Sequence, residues 1–330
     1  MLNIGEMFML GFRGPKVPAW MKDFAREFGF GGVILFDYDC LDKKYERNVF
    51  SPAQVKELCA EIHALASRPR VYVDQEGGKV RRLKEKYGFA PLASAKNFST
   101  LSLADKTAQL QSAFQQMHDI GIDCNLAPVV DLDLNPANPD LGAVERCYSP
   151  DKSTVLENVR FVHAAAARAN VDLCLKHFPG CGAATVNSHQ DLMDLTNVIS
   201  DEQLSLFKEM APLIPNILFS HGMVKTWDSQ LPCSLSAVAV QKARAWSPKG
   251  IFMTDDLQMD GMQKRMSTGE ACHLALKAGL DMFCIGNNMR DEQEASAEFA
   301  RRLIAASEND WVLASNIQSS LTRLLARKNT

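Results

Sequence analysis

Eight short apolar segments recur along the chain, each followed by a stretch long enough for a helix, and this alternation limits the possible folds more than any other feature. They fall at residues 7–12, 32–36, 71–74, 124–130, 172–177, 216–221, 250–254 and 282–286. Segments that are continuously apolar rather than alternating are buried on both faces, as in a parallel sheet wrapped by helices. Helix signals punctuate the intervals. Ser51-Pro52-Ala53-Gln54 and Ser267-Thr268-Gly269-Glu270 have capping-box spacing, Ser149-Pro150 puts a proline at a first helical position, and Gly121 and Gly279 stop helices. Eight such units predict an α/β fold, a single (β/α)8 TIM-type barrel with residues 1–330 as one domain. An open doubly wound sheet is the alternative, without its dinucleotide-binding form, because no Gly-x-Gly-x-x-Gly follows the first segment.

Composition narrows the function. With 330 residues and 46% apolar content the chain can bury a large core. The net charge of -3, with no lysine and arginine cluster interleaved with aromatics, argues against nucleic acid or an anionic membrane as partner. Nine scattered cysteines without a Cys-x-x-Cys pair are expected to be free thiols in a reducing cytosol, most acting as small buried hydrophobes. Glu6 interrupts the N-terminal apolar stretch and no basic leader precedes it, so no signal peptide is expected, and no run reaches the roughly 18 apolar residues of a membrane span.

Chemistry concentrates in residues 171–189, VDLCLKHFPGCGAATVNSH. An apolar run ends in Lys176 and His177, breaks at Phe178-Pro179-Gly180, and leads through small residues to His189. The loop lacks the Gly-Lys-Ser/Thr ending of a phosphate cradle. In a barrel the active site lies at the C-terminal ends of the strands. His63, His118, His163 and His273 fall inside helix patterns, whereas His177 and His221 end strand segments and His189 follows one. Asp74, Asp131 and Asp255 stand at the ends of the third, fourth and seventh segments. Each alone could be a cap or an ion pair; together they converge on one rim. The polar connections 37–50 and 131–148 are expected to wall the barrel mouth. A metal-dependent hydrolase using His177, His189, His221 and Asp255 stays a minor alternative, since no His-x-x-x-His spacing occurs.

Three stretches carry a more specific likeness: VDQEGGKVRRL (73–83), LKHFPGCGAATVNSH (175–189) and MTDDLQMDGM (253–262). With GGVILF (31–36), GIDCNLAPVVDLDLNPANP (121–139) and ERCYSPD (145–151) in matching order, the chain resembles glycoside hydrolase family 3, above all its bacterial β-N-acetylglucosaminidase (NagZ-type) branch. The resemblance implies a cytoplasmic, monomeric barrel enzyme without cofactor or metal. Its substrate would be a carbohydrate, the β-linked N-acetylglucosamine of peptidoglycan fragments released during wall recycling. By the same likeness Asp255 is the nucleophile of a retaining mechanism, and His189 is the general acid/base in place of a carboxylic acid. Asp74, Arg82, Arg146, Lys176 and His177 match sugar-binding positions, and His221 matches a position on the sixth strand. Asp256 is expected to face away from Asp255 and serve as a hydrogen-bonding cap.

Two positions depart from the family pattern. Cys181 stands where the central loop usually has His, and Asn187 where it has the Asp that partners the catalytic His. An Asn carbonyl can accept from a ring N–H but carries no charge to stabilise the imidazolium. Four readings therefore stay open: the β-N-acetylglucosaminidase, a family β-glycosidase of other sugar specificity, a phosphorylase in which phosphate replaces water, and a sugar-binding relative without turnover.

Overall fold

The computed structural model describes residues 3–185 and 192–328. Its centre is a closed barrel of eight parallel strands: β1 (Phe8–Leu10), β2 (Gly32–Leu35), β3 (Arg70–Val73), β4 (Cys124–Asn125), β5 (Asp172–Phe178), β6 (Asn216–Phe219), β7 (Phe252–Asp256) and β8 (Met282–Ile285). Each strand pairs with its neighbours in sequence, and β8 closes onto β1 with Phe8 opposite Phe283. This is the (β/α)8 architecture expected from the eight apolar segments.

Helices pack outside the barrel for the reason their spacing implies. In α1 (Ala19–Phe28) the buried residues are Met21, Phe24, Ala25 and Phe28, a stripe on one face of a 3.6-residue period. Ser51 Oγ caps α2 (Pro52–His63) by accepting from Gln54 N, and Ser102 Oγ caps α3 (Leu103–Asp119) by accepting from Asp105 N. Gly121, just past α3, has φ 86. The helix α4 spans Lys152–Arg168, so Pro150 lies before it and not at its first position. Asp151 takes the cap instead, Oδ1 accepting from Thr154 N at 2.8 Å, because its side-chain acceptor satisfies a free helical N–H and a proline ring satisfies none. The strand β4 is shorter than its apolar segment; beyond Asn125 the contact with β5 continues irregularly, through hydrogen bonds from Cys174 N to the Ala127 carbonyl and from Val130 N to the Lys176 carbonyl and the Val129–Lys176 bridge, while Pro128 has no N–H to give the ladder. All nine cysteines are free thiols, eight of them buried. No described helix is long and apolar enough to cross a membrane.

The 37–50 connection does wall the mouth. It folds into a hairpin of Tyr38–Asp39 against Lys44–Tyr45, anchored from below. Arg47, whose side chain is fully buried, donates from Nη1 to Asp39 Oδ2 at 2.7 Å and from Nη2 to the Asn287 carbonyl at 2.6 Å. Asn48 Nδ2 donates to the carbonyls of Phe12 and Gly14, and Asn288 Oδ1 accepts from Cys40 N. A buried pair broken on one side strands the other charge. Arg47→Met is therefore expected to lose about 3 kcal/mol of stability in urea titrations; a loss below about 0.5 kcal/mol would show that the guanidinium does not hold the hairpin.

Candidate active site

The C-terminal ends of β3, β5 and β7 open into a cavity of about 370 Å³ lined by Asp74, Glu76, Arg82, Arg146, Lys176, His177, His221, Asp255 and Asp256. That volume falls in the range of about 300–1,000 Å³ common for small-molecule sites. The two long connections supply Cys40 from the first and Asp140, Leu141 and Arg146 from the second, and Phe36 lines the cavity from just past β2.

After β3 the chain turns back as a tight hairpin, Gln75–Gly77 against Val80–Arg81. Buried Gln75 fixes it: Oε1 accepts from the backbone N–H groups of Arg82 and Leu83, and Nε2 donates to the Leu83 carbonyl. Gly77 is needed there, since its φ is 102 and an added Cβ would lie 2.0 Å from the Ala93 carbonyl oxygen. The turn carries Asp74 and Glu76 to the cavity. Asp74 Oδ1 accepts from Lys176 Nζ at 2.9 Å and Oδ2 from Arg82 Nη2 at 3.1 Å.

At the end of β5, Asp131 Oδ2 accepts from His177 N at 3.0 Å and from Nδ1 at 2.8 Å, while its Oδ1 accepts from Cys181 N at 2.5 Å. Arg146 Nη2 donates to His177 Nε2 at 2.9 Å. A guanidinium can only donate, so Nε2 is the acceptor and Nδ1 carries the ring proton toward Asp131. This arrangement fixes the tautomer from both sides. The tight path of the following loop requires Gly180, where a Cβ would fall 2.1 Å from Gln203 Cγ.

On β7, Asp255 Oδ1 accepts from Asp256 N at 2.9 Å. Asp256 Oδ1 accepts from Gln258 N at 3.0 Å and Gly286 N at 3.3 Å, which is the capping role expected of it, although its side chain also lines the cavity. His221 spans Ser234 Oγ at 2.7 Å and the Asp256 carbonyl at 3.0 Å, so it braces β7. Both imidazoles thus spend both ring nitrogens on protein partners. Among the described residues no group of three or more His, Cys, Asp or Glu is disposed to hold a metal.

The structure brings six of the expected site residues together: Asp74, Arg82, Arg146, Lys176, His177 and Asp255. Asn187 and His189 lie outside the described residues. Glu76 was not foreseen. Sorting by strand ends passes over it, because it sits three residues beyond β3, and the only local signal is a carboxylate inside the Gln-Glu-Gly-Gly turn. It accepts from Arg146 Nε at 2.7 Å and Nη2 at 2.8 Å and pairs with Lys176 Nζ at 2.5 Å.

Electrostatics follow from this packing. Burial pushes the Asp74 carboxyl up, but Lys176 and Arg82 outweigh it and hold the group well below the usual carboxylate range. Burial acts on Glu76 in the same sense, and Arg146 and Lys176 bring it down to about 2. Burial pushes the Lys176 ammonium down, and Asp74 and Glu76 outweigh that, raising it.

The glycosyl hydrolase family 3 N-terminal domain model matches residues 2–326. A β-hexosaminidase of Pseudomonas aeruginosa is 30% identical over 302 residues, 88% of this chain and 84% of the relative. The crystal structure of a β-N-acetylhexosaminidase from Beutenbergia cavernae superposes with a TM-score of 0.84 at 24% identity, covering 99% of this chain and 98% of that one. A family 3 β-N-acetylglucosaminidase from a Paenibacillus species reaches a TM-score of 0.84 at 26% identity, over 99% of this chain and 61% of its own.

The Glu76 pairing makes a pH prediction. A carboxylate whose folded value of about 2 lies below its ordinary 4.5 stabilises the fold fully above the higher value and loses that contribution as pH falls toward the lower. The stability gap between the wild type and Glu76→Gln, on the order of 3 kcal/mol near neutrality, is expected to narrow below about pH 4.5 in urea titrations. A gap unchanged down to about pH 3 would contradict the pairing.

Proposed function

We infer, from the premise that the chain belongs to glycosyl hydrolase family 3, that it is a retaining exo-β-N-acetylglucosaminidase acting on peptidoglycan fragments. The observation that supports this reading is that Asp255 lines the same sugar-sized cavity as a hydrogen-bonding cluster of Asp74, Lys176, Arg146 and His177. The names of the relatives, β-hexosaminidase and β-N-acetylglucosaminidase, support the choice of sugar. In this proposal the chain works as a single-domain cytoplasmic monomer.

The mechanism follows from the residues. Asp255 attacks the anomeric carbon, first facing the positive charge that develops on the ring and then forming a covalent glycosyl-enzyme. His189 protonates the leaving glycosidic oxygen and then takes a proton from the incoming water. Asp74 accepts hydrogen bonds from ring hydroxyls, while Lys176 and Arg146 donate to oxygens. Hydrolysis is favoured over phosphorolysis by the lining itself, in which five carboxylates (Asp74, Glu76, Asp140, Asp255, Asp256) face three cations (Arg82, Arg146, Lys176). Such a wall favours a cationic transition state and repels a phosphate dianion. Asn187 favours a second reading, a sugar-binding relative without turnover, because an amide in place of the family's Asp carries no charge to stabilise an imidazolium.

A fluorosugar that traps the glycosyl-enzyme, followed by peptide mapping, tests the assignment. The label is expected on Asp255; a label elsewhere overturns the nucleophile, and tight binding with neither label nor turnover supports the binding-only reading. Hydrolysis of nitrophenyl β-N-acetylglucosaminide is expected to exceed that of the β-glucoside. Asn187→Asp is expected to raise kcat/KM by about tenfold or more near neutral pH. A carboxylate favours the imidazolium, so His189 stays protonated to higher pH and the basic limb of the profile moves upward. An unmoved limb would mean that position 187 does not partner the imidazole.

A further inference from the structure

Glu76 has contacts that local chain geometry does not require. Its side chain is only 4% exposed, and its two oxygens are shared between the guanidinium of Arg146 and the ammonium of Lys176, residues 70 and 100 positions away in the sequence. Donor counting shows the consequence. A guanidinium has five N–H groups; Arg146 directs Nε and one Nη2 N–H to Glu76, the other Nη2 N–H to His177 Nε2, and one Nη1 N–H to the Asp140 carbonyl at 2.8 Å. One N–H remains, on Nη1. An ammonium has three; Lys176 donates one to Asp74 and sets a second against Glu76 as an ion pair at 2.5 Å, again leaving one. Both cations line the cavity, so each keeps a single, directed donor for a ligand. Without the carboxylate between them, two positive groups would face each other in a buried place and both would turn toward any available anion.

We propose that Glu76 is a positioning residue. It aims the last N–H of Arg146 and of Lys176 at the oxygens of a bound neutral saccharide, and it occupies the place between the two cations that an anion would otherwise take. This goes beyond the catalytic roles above, and only its kinetic arm rests on the glycosidase reading.

Glu76→Ala removes a CH2–COO⁻ unit, the size and charge of acetate, from between two buried cations. The kcat/KM of this variant on nitrophenyl β-N-acetylglucosaminide is expected to fall by about 100-fold. Sodium acetate, against sodium chloride at equal ionic strength, is expected to restore about tenfold of that and to raise the melting temperature of Glu76→Ala only. Glu76→Gln fills the space without the charge, and is expected to be impaired to a similar degree with no acetate response. The proposal is overturned by wild-type kinetics in either variant, or by a Glu76→Ala protein that neither binds acetate nor recovers activity in it. If Glu76→Ala folds only when prepared in acetate, the proposal is supported; if it folds in neither buffer, Glu76 serves packing and the proposal fails. Acetate-specific stabilisation needs no glycoside turnover, so a wild type inert toward glycosides beside an acetate-binding Glu76→Ala would remove the glycosidase reading alone.

Discussion

A lysine ammonium held at 3% exposure between two carboxylates is the contact on which the site depends. Removing an ammonium from water costs several kcal/mol and is offset only when the partners are close and well directed. Asp74 and Glu76 meet that condition from the end of β3, and Lys176 reaches them from the end of β5. The two strands do not pair directly; β4 lies between them. Pairing of both strands with β4 is therefore what brings acid and base together, side by side on one rim of the barrel. From it the order spreads outward: Glu76 orients Arg146, Arg146 and Asp131 fix the His177 ring, and Asp131 also holds the start of the loop that follows.

The cluster explains why one carboxylate in the cavity can have a different task. Asp74 and Glu76 are engaged by cations, and Asp256 is engaged by backbone N–H groups of the β7 and β8 ends. Asp255 holds one backbone hydrogen bond from its neighbour and faces the same space. A carboxylate with no cation paired to it among the described residues has an oxygen to offer the cavity, which under the proposed function suits attack on, or stabilisation of, an electron-poor ring carbon. The hairpin over the mouth, tied down through Arg47 and Asn48, makes this a recess rather than an open dish.

Much of this could be read from the sequence, and the exceptions have physical causes. All eight strands lie within or beside their apolar segments because burial on both faces leaves a local signal. The residues that end strands, Asp74, Lys176, His177 and Asp255, could be located because barrel topology aims strand ends at one rim. Element ends are less legible: β4 ends at Asn125, short of its apolar segment, and the start of α4 is set by Asp151 in place of Pro150. Glu76 escaped notice because its partners are distant in the chain, and long-range charge pairing has no period to detect. Asp131 is legible as an acid near a strand end, but its role in fixing the His177 tautomer depends on a contact 46 residues apart in the chain.

The central proposal is a neutral saccharide held between the cation-paired cluster and Asp255. A crystal structure of the chain with N-acetylglucosamine bound tests it most directly. The expected result is a ring with its hydroxyls on Asp74, Lys176 and Arg146 and its anomeric carbon about 3–3.5 Å from Asp255. A sugar bound elsewhere on the molecule, or one in this cavity with its anomeric carbon turned away from Asp255, would contradict it.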